Sequence, residues 1–516
     1  MAQSVEQLIR NQQVRGSSPL ISSTLSEANA SLYFFVFGTF TIISQLVKTF
    51  VILALGSWRS QASLFFAFGT FAISELLLHQ SLPYNYSIRA QTCQRNTHAK
   101  SNRRPLTNTE INVILWIDFY EVDMNRLFNY LPSSVTDEFS TSKTANEAIE
   151  FYNGLNQKAE YMFGFPAYAY PLSLKTQYLL LLHYNSPFSN NCGDIEERGN
   201  YSMDTKDVEK RIVELYAQKF GMGKSFWGYV SSGGSESNSC GIALAFAKYP
   251  NGILYYSQAA HYSVEKGVNL HPHVKIPSLG KDVLDVDALL ESVKENFDKT
   301  GAPANIVLTH GTTKYGECDD VDRIVAFLKQ NSIPYYIHLD AALFGGIQNN
   351  QKDAPVALNL KKRGVDSVCV SLHKYVGFPD VKSVFIAASK PRGKKIAYIG
   401  QHDTTVSGSR SIPAYALLNH VTEHLAEPRE DNYCKNVIFF ENLLQDRGVN
   451  YYKAPKSNIF VIDSPSPAVC KRFQLSCFDE LENGAKTQKA HVIIFPSHKE
   501  KIMAELADAL CNDLNR

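Results

Sequence analysis

A large net charge of either sign is missing from this sequence, and its absence limits the partners that the protein can have. The 516 residues include 51 lysines and arginines against 50 aspartates and glutamates, which gives a formal net charge of +1. A nearly neutral chain has no strong field to attract nucleic acid. No basic stripe with interleaved aromatic residues is present either, so we expect no nucleic-acid partner.

Cysteines at metal-binding spacing are also missing. The nine cysteines are scattered and odd in number, and no two of them form a C-x-x-C pair. This pattern argues against a disulfide framework and against a zinc site. We therefore predict no bound metal and a reducing compartment.

Internal repeats and low-complexity tracts are absent as well, and the composition is that of a globular protein. Hydrophobic residues make up 44% of the chain and charged residues 20%, which is close to the average of folded domains. The length predicts two or three domains.

The first 110 residues differ from the rest, and we interpret them as an N-terminal extension. Residues 31–56 contain Lys48 as their only charge, and residues 62–78 contain only Glu75. Runs of this kind are candidate membrane spans, which would anchor the rest of the chain in the cytoplasm through residues 31–78. The alternatives are a buried helical extension or a segment that the mature protein lacks. A polar linker follows at residues 81–110.

From residue 111 onward, short apolar runs alternate with helix-length segments. This alternation predicts an α/β fold with a mostly parallel sheet that is covered on both faces. We expect a helical segment at 111–203, a large domain at 204–400 and a smaller C-terminal α+β domain at 401–516. The apolar runs are residues 226–230, 253–256, 306–308, 335–337, 365–370 and 384–387.

A turn of small residues follows the first of these runs and precedes a helical stretch. Such a turn offers free backbone N–H groups and the positive end of a helix dipole to a phosphate group. A plain connecting turn is the alternative interpretation. The residues of the turn are Ser232, Gly233, Gly234 and Ser235.

Three further side chains follow apolar runs and are candidates for chemistry. Asp340 can keep a pyridine nitrogen protonated, although it could simply cap a loop. Lys374 leaves a buried strand, where a lysine readily becomes a nucleophile toward aldehydes, although a surface lysine is the alternative. His261 can stack on a flat heteroaromatic ring and move a proton, although a single histidine is more often an ordinary core or surface residue.

The order of these features, together with many short matching segments, resembles the group II pyridoxal-5′-phosphate decarboxylases, and in particular the branch with bacterial histidine decarboxylase and plant serine decarboxylase. The resemblance extends from about residue 160 to the end of the chain. The matching segments are Phe163–Pro166, Asn190–Asp194, Phe226–Tyr229, the turn at 233–236, Tyr249–Tyr255, His261–Val264, Gly311–Thr313, Asp319–Asp320, Asp340–Gly345, His373–Lys374, His402–Asp403 and Gly408–Arg410.

The resemblance implies a role for each candidate residue. Lys374 would hold pyridoxal phosphate as a Schiff base, Asp340 would pair with its ring nitrogen, and His261 would stack on the ring. The implied fold is the type I, aspartate-aminotransferase-like fold, in a homodimer with active sites at the subunit interface. The remaining implied cofactor contacts are Ser232, Gly233, Gly234, Ser235, Ser371 and His373 at the phosphate and Thr312 beside the cofactor.

The sequence departs from the family pattern at three places, which leaves the substrate open. Gly377–Ser383 replaces a segment that usually contains Pro-Cys-Gly, Ser411–Pro413 replaces Asn-Gly-His, and Ser237 replaces a glycine. The expected reaction is decarboxylation of an L-amino acid, with histidine or serine as the leading substrates. Another type I enzyme such as a carbon–carbon lyase, or a catalytically silent membrane-tethered relative, is the alternative.

Overall fold

The computed structural model describes residues 143–166, 172–186, 189–198, 202–348, 354–394, 396, 408–426, 432–482 and 485–514. The two candidate membrane spans, the polar linker and the first part of the predicted helical segment lie outside these residues. Within the described part of the chain, no helix is both long and apolar enough to cross a membrane. The described residues from Phe151 onward form one compact unit.

A seven-stranded sheet forms the centre of this unit, and the six apolar runs of the sequence supply six of its strands. The seventh strand, β3, is short and half-exposed, and the sequence did not predict it. The strands are β1 (Trp227–Ser231), β2 (Ile253–Ser257), β3 (His273–Ile276), β4 (Ala304–Thr309), β5 (Tyr335–Asp340), β6 (Ser367–Ser371) and β7 (Ser383–Ala387).

The order of the strands is β1-β7-β6-β5-β4-β2-β3. The pairs from β6 to β3 are parallel, whereas β7 runs antiparallel to both β1 and β6. The carboxyl ends of the parallel strands and of β1 therefore meet the amino end of β7 at one edge of the sheet. In open α/β sheets this edge is where ligands bind.

Helices cover both faces of the sheet and contribute to a second core. Their ends carry the expected signals: the helix Lys206–Phe220 is followed by Gly221 with φ of 65°, and the Asp320 side chain caps the start of the helix Val321–Gln330. The helices are α1 (Lys143–Ala159), α2 (Leu174–Tyr184), α3 (Lys206–Phe220), α4 (Gly234–Lys248), α5 (Tyr262–Val268), α6 (Val286–Thr300), α7 (Val321–Gln330), α8 (Leu360–Arg363), α9 (Ala414–Ala426), α10 (Asn432–Asp446), α11 (Pro467–Arg472) and α12 (Glu500–Leu514).

A four-stranded antiparallel sheet near the C-terminus has its own hydrophobic core. Its strands are β8 (Tyr452–Lys453), β9 (Ile459–Asp463), β10 (Ser476–Glu482) and β11 (Ala485–Ile493), in the order β10-β11-β9-β8. This core includes Phe460 and Leu506, whereas Leu417 of α9 belongs to the core of the large sheet. The predicted divisions after residues 203 and 400 stay predictions.

Candidate active site

Polar side chains converge at the edge of the large sheet where β1, β5 and β6 end and β7 begins. Ser383 is the register partner of both Ser231 and Ser371. Asp340 is in turn the register partner of Cys369 on β6 and of Thr309 on β4. The sheet therefore brings together side chains that are far apart in sequence.

Asp340 is a buried carboxylate with a partner for each oxygen. Only 4% of the residue is exposed. Its Oδ2 accepts a hydrogen bond of 2.7 Å from Asn238 Nδ2, and its Oδ1 accepts one of 3.0 Å from the Ala342 amide. Because a buried polar group is costly unless it is hydrogen-bonded, these donors offset the cost of burial and fix the orientation of the carboxylate.

Asn238 on α4 connects Asp340 to two other groups, and the sequence analysis gave it no role. Its Nδ2 also donates to Ser263 Oγ at 2.9 Å, and its Oδ1 accepts from His338 Nε2 at 3.0 Å. Burial lowers the pKa of His338 to about 4, although the Asp340 charge opposes this shift. The neutral ring then donates through Nε2 and accepts from Ser367 Oγ through Nδ1 at 2.8 Å.

His261 lies at the other end of this hydrogen-bonded chain. Its Nδ1 accepts from Ser263 Oγ at 2.7 Å and from the Ser263 amide at 3.3 Å. Burial lowers its pKa, Asp340 raises it, and the charges of Lys374 and Lys266 lower it further. With Nδ1 occupied as an acceptor, the neutral ring carries its proton on Nε2.

Lys374 is half-buried in the loop that joins β6 to β7. Its charge lowers the pKa of His261. The pKa of His373 is also lowered: burial is the largest cause, the hydrogen bond to the Lys382 carbonyl opposes it, and the charge of Lys374 adds to it. The Lys382 carbonyl closes this loop, since it accepts from the Leu372 amide at 2.8 Å and from His373 Nδ1 at 3.1 Å. A backbone carbonyl therefore closes the loop that carries the candidate nucleophile.

The small-residue turn adopts a conformation that only glycine readily accepts. Gly233 has φ of 143° and precedes the first residue of α4. At Gly234 a Cβ atom would lie 3.1 Å from Ser371 Oγ, which brings β6 next to the turn. The Ser232 amide donates to Glu236 Oε2 at 3.0 Å, so the hydroxyl is the donor that Ser232 can offer to a phosphate group. The side chains of Ser232 and Ser235 are exposed.

Three buried hydroxyl groups lie directly beneath this turn. Ser237 Oγ is 2.7 Å from Ser231 Oγ and 3.0 Å from Ser383 Oγ, and Ser231 Oγ donates to the Gly233 carbonyl at 3.1 Å. Ser383 Oγ also donates to the Val370 carbonyl. Two of the departures from the family pattern, Ser237 and the end of the segment Gly377–Ser383, therefore contact each other.

Thr312 follows β4 and is buried in a short turn. Its Oγ1 accepts from the Glu317 amide at 3.0 Å, and its amide donates to the Glu317 carbonyl at 2.9 Å. The preceding Gly311 has φ of 100°, and a Cβ atom there would lie 2.7 Å from the Phe344 ring. The turn is thus fixed next to the end of β5, while its contact with a ligand stays a prediction.

A buried ion pair supports the end of β1, and the sequence analysis missed its acidic member. Glu209 accepts from Arg410 Nη2 at 3.2 Å, from Asn191 Nδ2 at 2.7 Å and from the Val230 amide at 2.8 Å. It joins two of the matching segments, which contain Asn191 and Arg410. A charged residue at the fourth position of α3, facing a hydrophobic core, was the signal that could have indicated it.

Comparison with known proteins identifies the family. A profile of the pyridoxal-dependent decarboxylase conserved domain matches residues 248–387. Histidine decarboxylase of Acinetobacter baumannii (strain ACICU) is 32% identical over 359 residues, which cover 67% of this chain and 89% of that protein. The chain belongs to the pyridoxal-dependent decarboxylase family.

Other members of the family agree with this assignment. Serine decarboxylase 3 of Oryza sativa subsp. japonica is 29% identical over 343 residues, which cover 64% of this chain and 74% of that protein. The crystal structure of L-methionine decarboxylase from Streptomyces sp. 590 matches with a TM-score of 0.60 at 21% identity and covers 72% of this chain and 95% of that one. The type I fold, the pyridoxal phosphate cofactor and the decarboxylase class that the sequence predicted are confirmed.

The residues of this pyridoxal-dependent decarboxylase fit its cofactor. A phosphate group would find amides at the start of α4 beside Ser371 Oγ, because the first N–H groups of a helix have no partner within it. A pyridinium nitrogen would find the buried Asp340 carboxylate, and an aldehyde would find Lys374 on the adjacent loop. The roles of the individual residues were predicted from the sequence and stay predictions.

Proposed function

We propose that this pyridoxal-dependent decarboxylase removes the carboxylate of an L-amino acid, with Lys374 as the covalent attachment point of the cofactor. The observation that supports it best is the buried chain of hydrogen bonds from Asp340 through Asn238 and Ser263 to His261. This chain ties the ring-nitrogen partner to the ring-facing histidine. A surface aspartate or a plain core histidine would need no such connection.

When bound, pyridoxal phosphate supplies a protonated ring that accepts the electron pair left as the bond from Cα to the carboxylate breaks. Asp340 keeps a proton at the ring nitrogen, and Asn238 and the Ala342 amide hold its carboxylate in place. His261, with the proton on Nε2, faces the substrate and orients it. Lys374 Nζ would be the proton donor to Cα, with His261 Nε2 as the alternative donor.

We propose histidine as the first candidate substrate and serine as the second. The support comes from the relatives, whose names include both amino acids. The site residues do not separate the two, because they serve the cofactor that all members of the family share. The segments that depart from the family pattern, Gly377–Ser383 and Ser411–Pro413, are where we expect specificity to be decided.

A panel of the common L-amino acids tests both parts of the proposal. The purified protein, saturated with pyridoxal phosphate, is assayed for carbon dioxide and amine with each amino acid, and the Lys374→Ala variant serves as the control. We expect equal amounts of carbon dioxide and amine from histidine or serine. An aldehyde released without carbon dioxide would indicate a carbon–carbon lyase, and no turnover of any amino acid would indicate a silent relative.

We also propose that the protein works as a homodimer. Support comes from α2, which exposes several large apolar side chains, including 51% of Leu181. Tyr184 at its end donates to Asp380 Oδ2 at 2.8 Å, in the loop that carries Lys374. Light scattering of Leu181→Glu should show a monomer of low activity, whereas Leu270→Glu, at a 91% exposed position, should stay a dimer. A monomeric wild-type protein would overturn the proposal.

Membrane attachment through residues 31–78 is the last part of the proposal. Its support is the near absence of charge in residues 31–56 and 62–78. The test compares cells that express the full chain with cells that express a form beginning at residue 111. Membranes from both are extracted with carbonate. We expect only the full chain to stay with the membrane fraction, and its release by carbonate would contradict anchoring.

A further inference from the structure

Two of the nine cysteines lie side by side in the C-terminal part of the molecule, far from the candidate active site in sequence. Cys470 is on α11 and Cys477 is on the edge strand β10, and their Sγ atoms are 3.3 Å apart. Ser464 Oγ lies 3.4 Å from Cys477 Sγ and 3.9 Å from Cys470 Sγ. Thiol groups this close need only a small movement to form a disulfide bond.

The turn between the two cysteines holds them in this arrangement. Gln474, at its centre, has φ of 48°, a left-handed conformation that is unusual for a residue other than glycine. The Leu475 amide donates to the Cys470 carbonyl at 2.9 Å, and Gln474 Nε2 donates to the Lys158 carbonyl at 3.0 Å. The proximity of the thiols is therefore built into the fold of the turn.

We propose that Cys470 and Cys477 form a reversible disulfide and constitute an oxidation site of this enzyme. Cys477 is exposed, whereas Cys470 is half-buried. An oxidant in solution therefore reaches Cys477 first, and Cys470 is the thiol that closes the bond.

With hydrogen peroxide as the oxidant, the atoms and electrons balance in two steps. The Cys477 thiol attacks one peroxide oxygen and becomes a sulfenic acid, and one water molecule leaves. Cys470 Sγ then attacks the Cys477 sulfur, its proton joins the departing hydroxide as a second water, and the disulfide forms. Burial and the neighbouring Cys477 raise the pKa of Cys470 to about 11, which disfavours Cys470 as the first thiol to react.

The disulfide would also tighten a contact with a segment that belongs to the family pattern. The Phe163 amide donates to the Phe473 carbonyl at 3.2 Å, and the Gly164 amide donates to the Gln474 carbonyl at 3.1 Å. A Cβ atom at Gly164 would lie 2.2 Å from the Ser476 amide nitrogen, so the two segments are in direct backbone contact. Oxidation therefore fixes both ends of the turn against which Phe163 and Gly164 lie.

Peptide mapping of the full-length holoenzyme tests the site, because trypsin cleaves after Lys471 and Arg472, between the two cysteines. After treatment with hydrogen peroxide and a thiol block, we expect peptide 457–471 to be joined to peptide 473–486, and dithiothreitol to separate them. Cys470→Ser and Cys477→Ser should abolish the joined species, whereas Cys511→Ser should keep it. No joined species in the wild type, or its persistence in either pair variant, would overturn the proposal.

Two further measurements distinguish a disulfide that the folded structure favours from one that forms only because the two cysteines are close in sequence. The linkage should form about tenfold faster in the folded protein than in urea, because folding places the thiols in contact; equal rates would sink the proposal. Amide hydrogen exchange at Phe163 and Gly164 should slow on oxidation in the wild type and in Cys511→Ser, because both keep the cysteine pair. Equal slowing in Cys477→Ser, which lacks the pair, would contradict the proposal.

Discussion

The two ends of the candidate active site are built in opposite ways. Around Asp340, the side chains of Asn238 and His338 are buried and hydrogen-bonded in a continuous chain. At the turn before α4, the Ser232 and Ser235 side chains are exposed, and the first amides of the helix are free for a ligand.

This difference separates two tasks that one cofactor imposes on the protein. A ring that must accept electrons needs a charge held rigidly in a dry environment, because electrostatic effects are strong there. A phosphate group carries its own charge into the site, so the protein has only to offer donors. We therefore expect changes near Asp340 to lower turnover and changes near the turn to lower cofactor affinity.

Replacement of Lys374, which lies between the two ends, should have the largest effect. We expect Lys374→Ala to lower turnover by about 10⁴-fold or more, since loss of a covalent catalytic group has effects of this size. The visible absorption of the lysine-bound cofactor should disappear with it. Lys382→Ala, in the same loop, is the matched control. It should keep the turnover and the visible absorption, because the loop is closed by the backbone carbonyl of residue 382, which alanine retains. Normal turnover in Lys374→Ala would end the assignment.

Asp340→Ala should have the next largest effect and should test the rigid end directly. Removal of the carboxylate at the ring nitrogen is expected to lower kcat by about 10²- to 10³-fold, the size seen for a preorganised electrostatic group. Cofactor affinity, measured by titration of the apoenzyme, should change far less. Asp322→Ala removes an exposed carboxylate that pairs with Arg363 and should leave kcat unchanged. Equal losses of kcat and affinity would contradict the separation of tasks.

Asn238→Ala should lower kcat by about 10- to 100-fold and the free energy of unfolding by about 1–3 kcal/mol. The variant removes one hydrogen bond from each of Asp340 Oδ2, Ser263 Oγ and His338 Nε2, and an unpaired buried polar group costs energy of this order. Steady-state kinetics and urea denaturation measure the two effects. Asn296→Ala, which removes a half-buried amide bonded to the Ser292 carbonyl, is the control and should leave kcat intact.

Ser383→Ala should lower the affinity for pyridoxal phosphate without changing turnover, because the Ser383 hydroxyl lies beneath the phosphate turn. Loss of its contact with Ser237 should raise the Kd for pyridoxal phosphate by about tenfold, which corresponds to about 1.4 kcal/mol. The Kd for pyridoxal, which has no phosphate, should stay the same, and so should kcat at saturating cofactor. Ser239→Ala is the control, because the Ser239 hydroxyl donates to the Ser235 carbonyl one turn earlier in α4 and its loss leaves the Ser237–Ser383 contact in place. An equal loss of affinity for both compounds would contradict the role.

The smallest expected effect concerns the pH dependence of kcat/KM. The pKa of His261 is lowered, so the neutral form persists at mildly acidic pH. On the acidic side, kcat/KM should therefore fall only at a pH below the ordinary histidine pKa. Lys266 contributes to this lowering, so Lys266→Ala should move the limb to higher pH by about 0.2–0.5 units, the range for an exposed charge. Lys294→Ala should not move it, and a shift to lower pH in Lys266→Ala would contradict the sign.

The sequence predicts the parts of the fold and site that depend on local patterns. Apolar runs locate six strands because a strand buried on both faces must be apolar throughout, whereas β3 escaped prediction because only Val274 and Ile276 mark it. Lys374 and Asp340 could be predicted because each follows a buried run, where a charged side chain is conspicuous.

The hydrogen-bonded chain behind Asp340 could not be predicted, because it joins residues that only the folded sheet brings together. Asn238 and Asp340 are 102 positions apart, and nothing local marks Asn238 as different from other polar helix residues. The same holds for the contact between Ser237 and Ser383. A buried carboxylate requires donors, so the need for a partner was predictable, but its identity depends on tertiary packing.

The single reversed strand, β7, has a consequence for the order in which the molecule assembles. The β6–β7 pair closes a loop of few residues, so the segment with Lys374 can take its shape early, at low entropic cost. The edge strand β1 joins β7 across more than 150 positions of chain, and the phosphate turn follows β1. We therefore expect the lysine loop to form before the anion site, so that capture of the cofactor belongs to the last stage of folding.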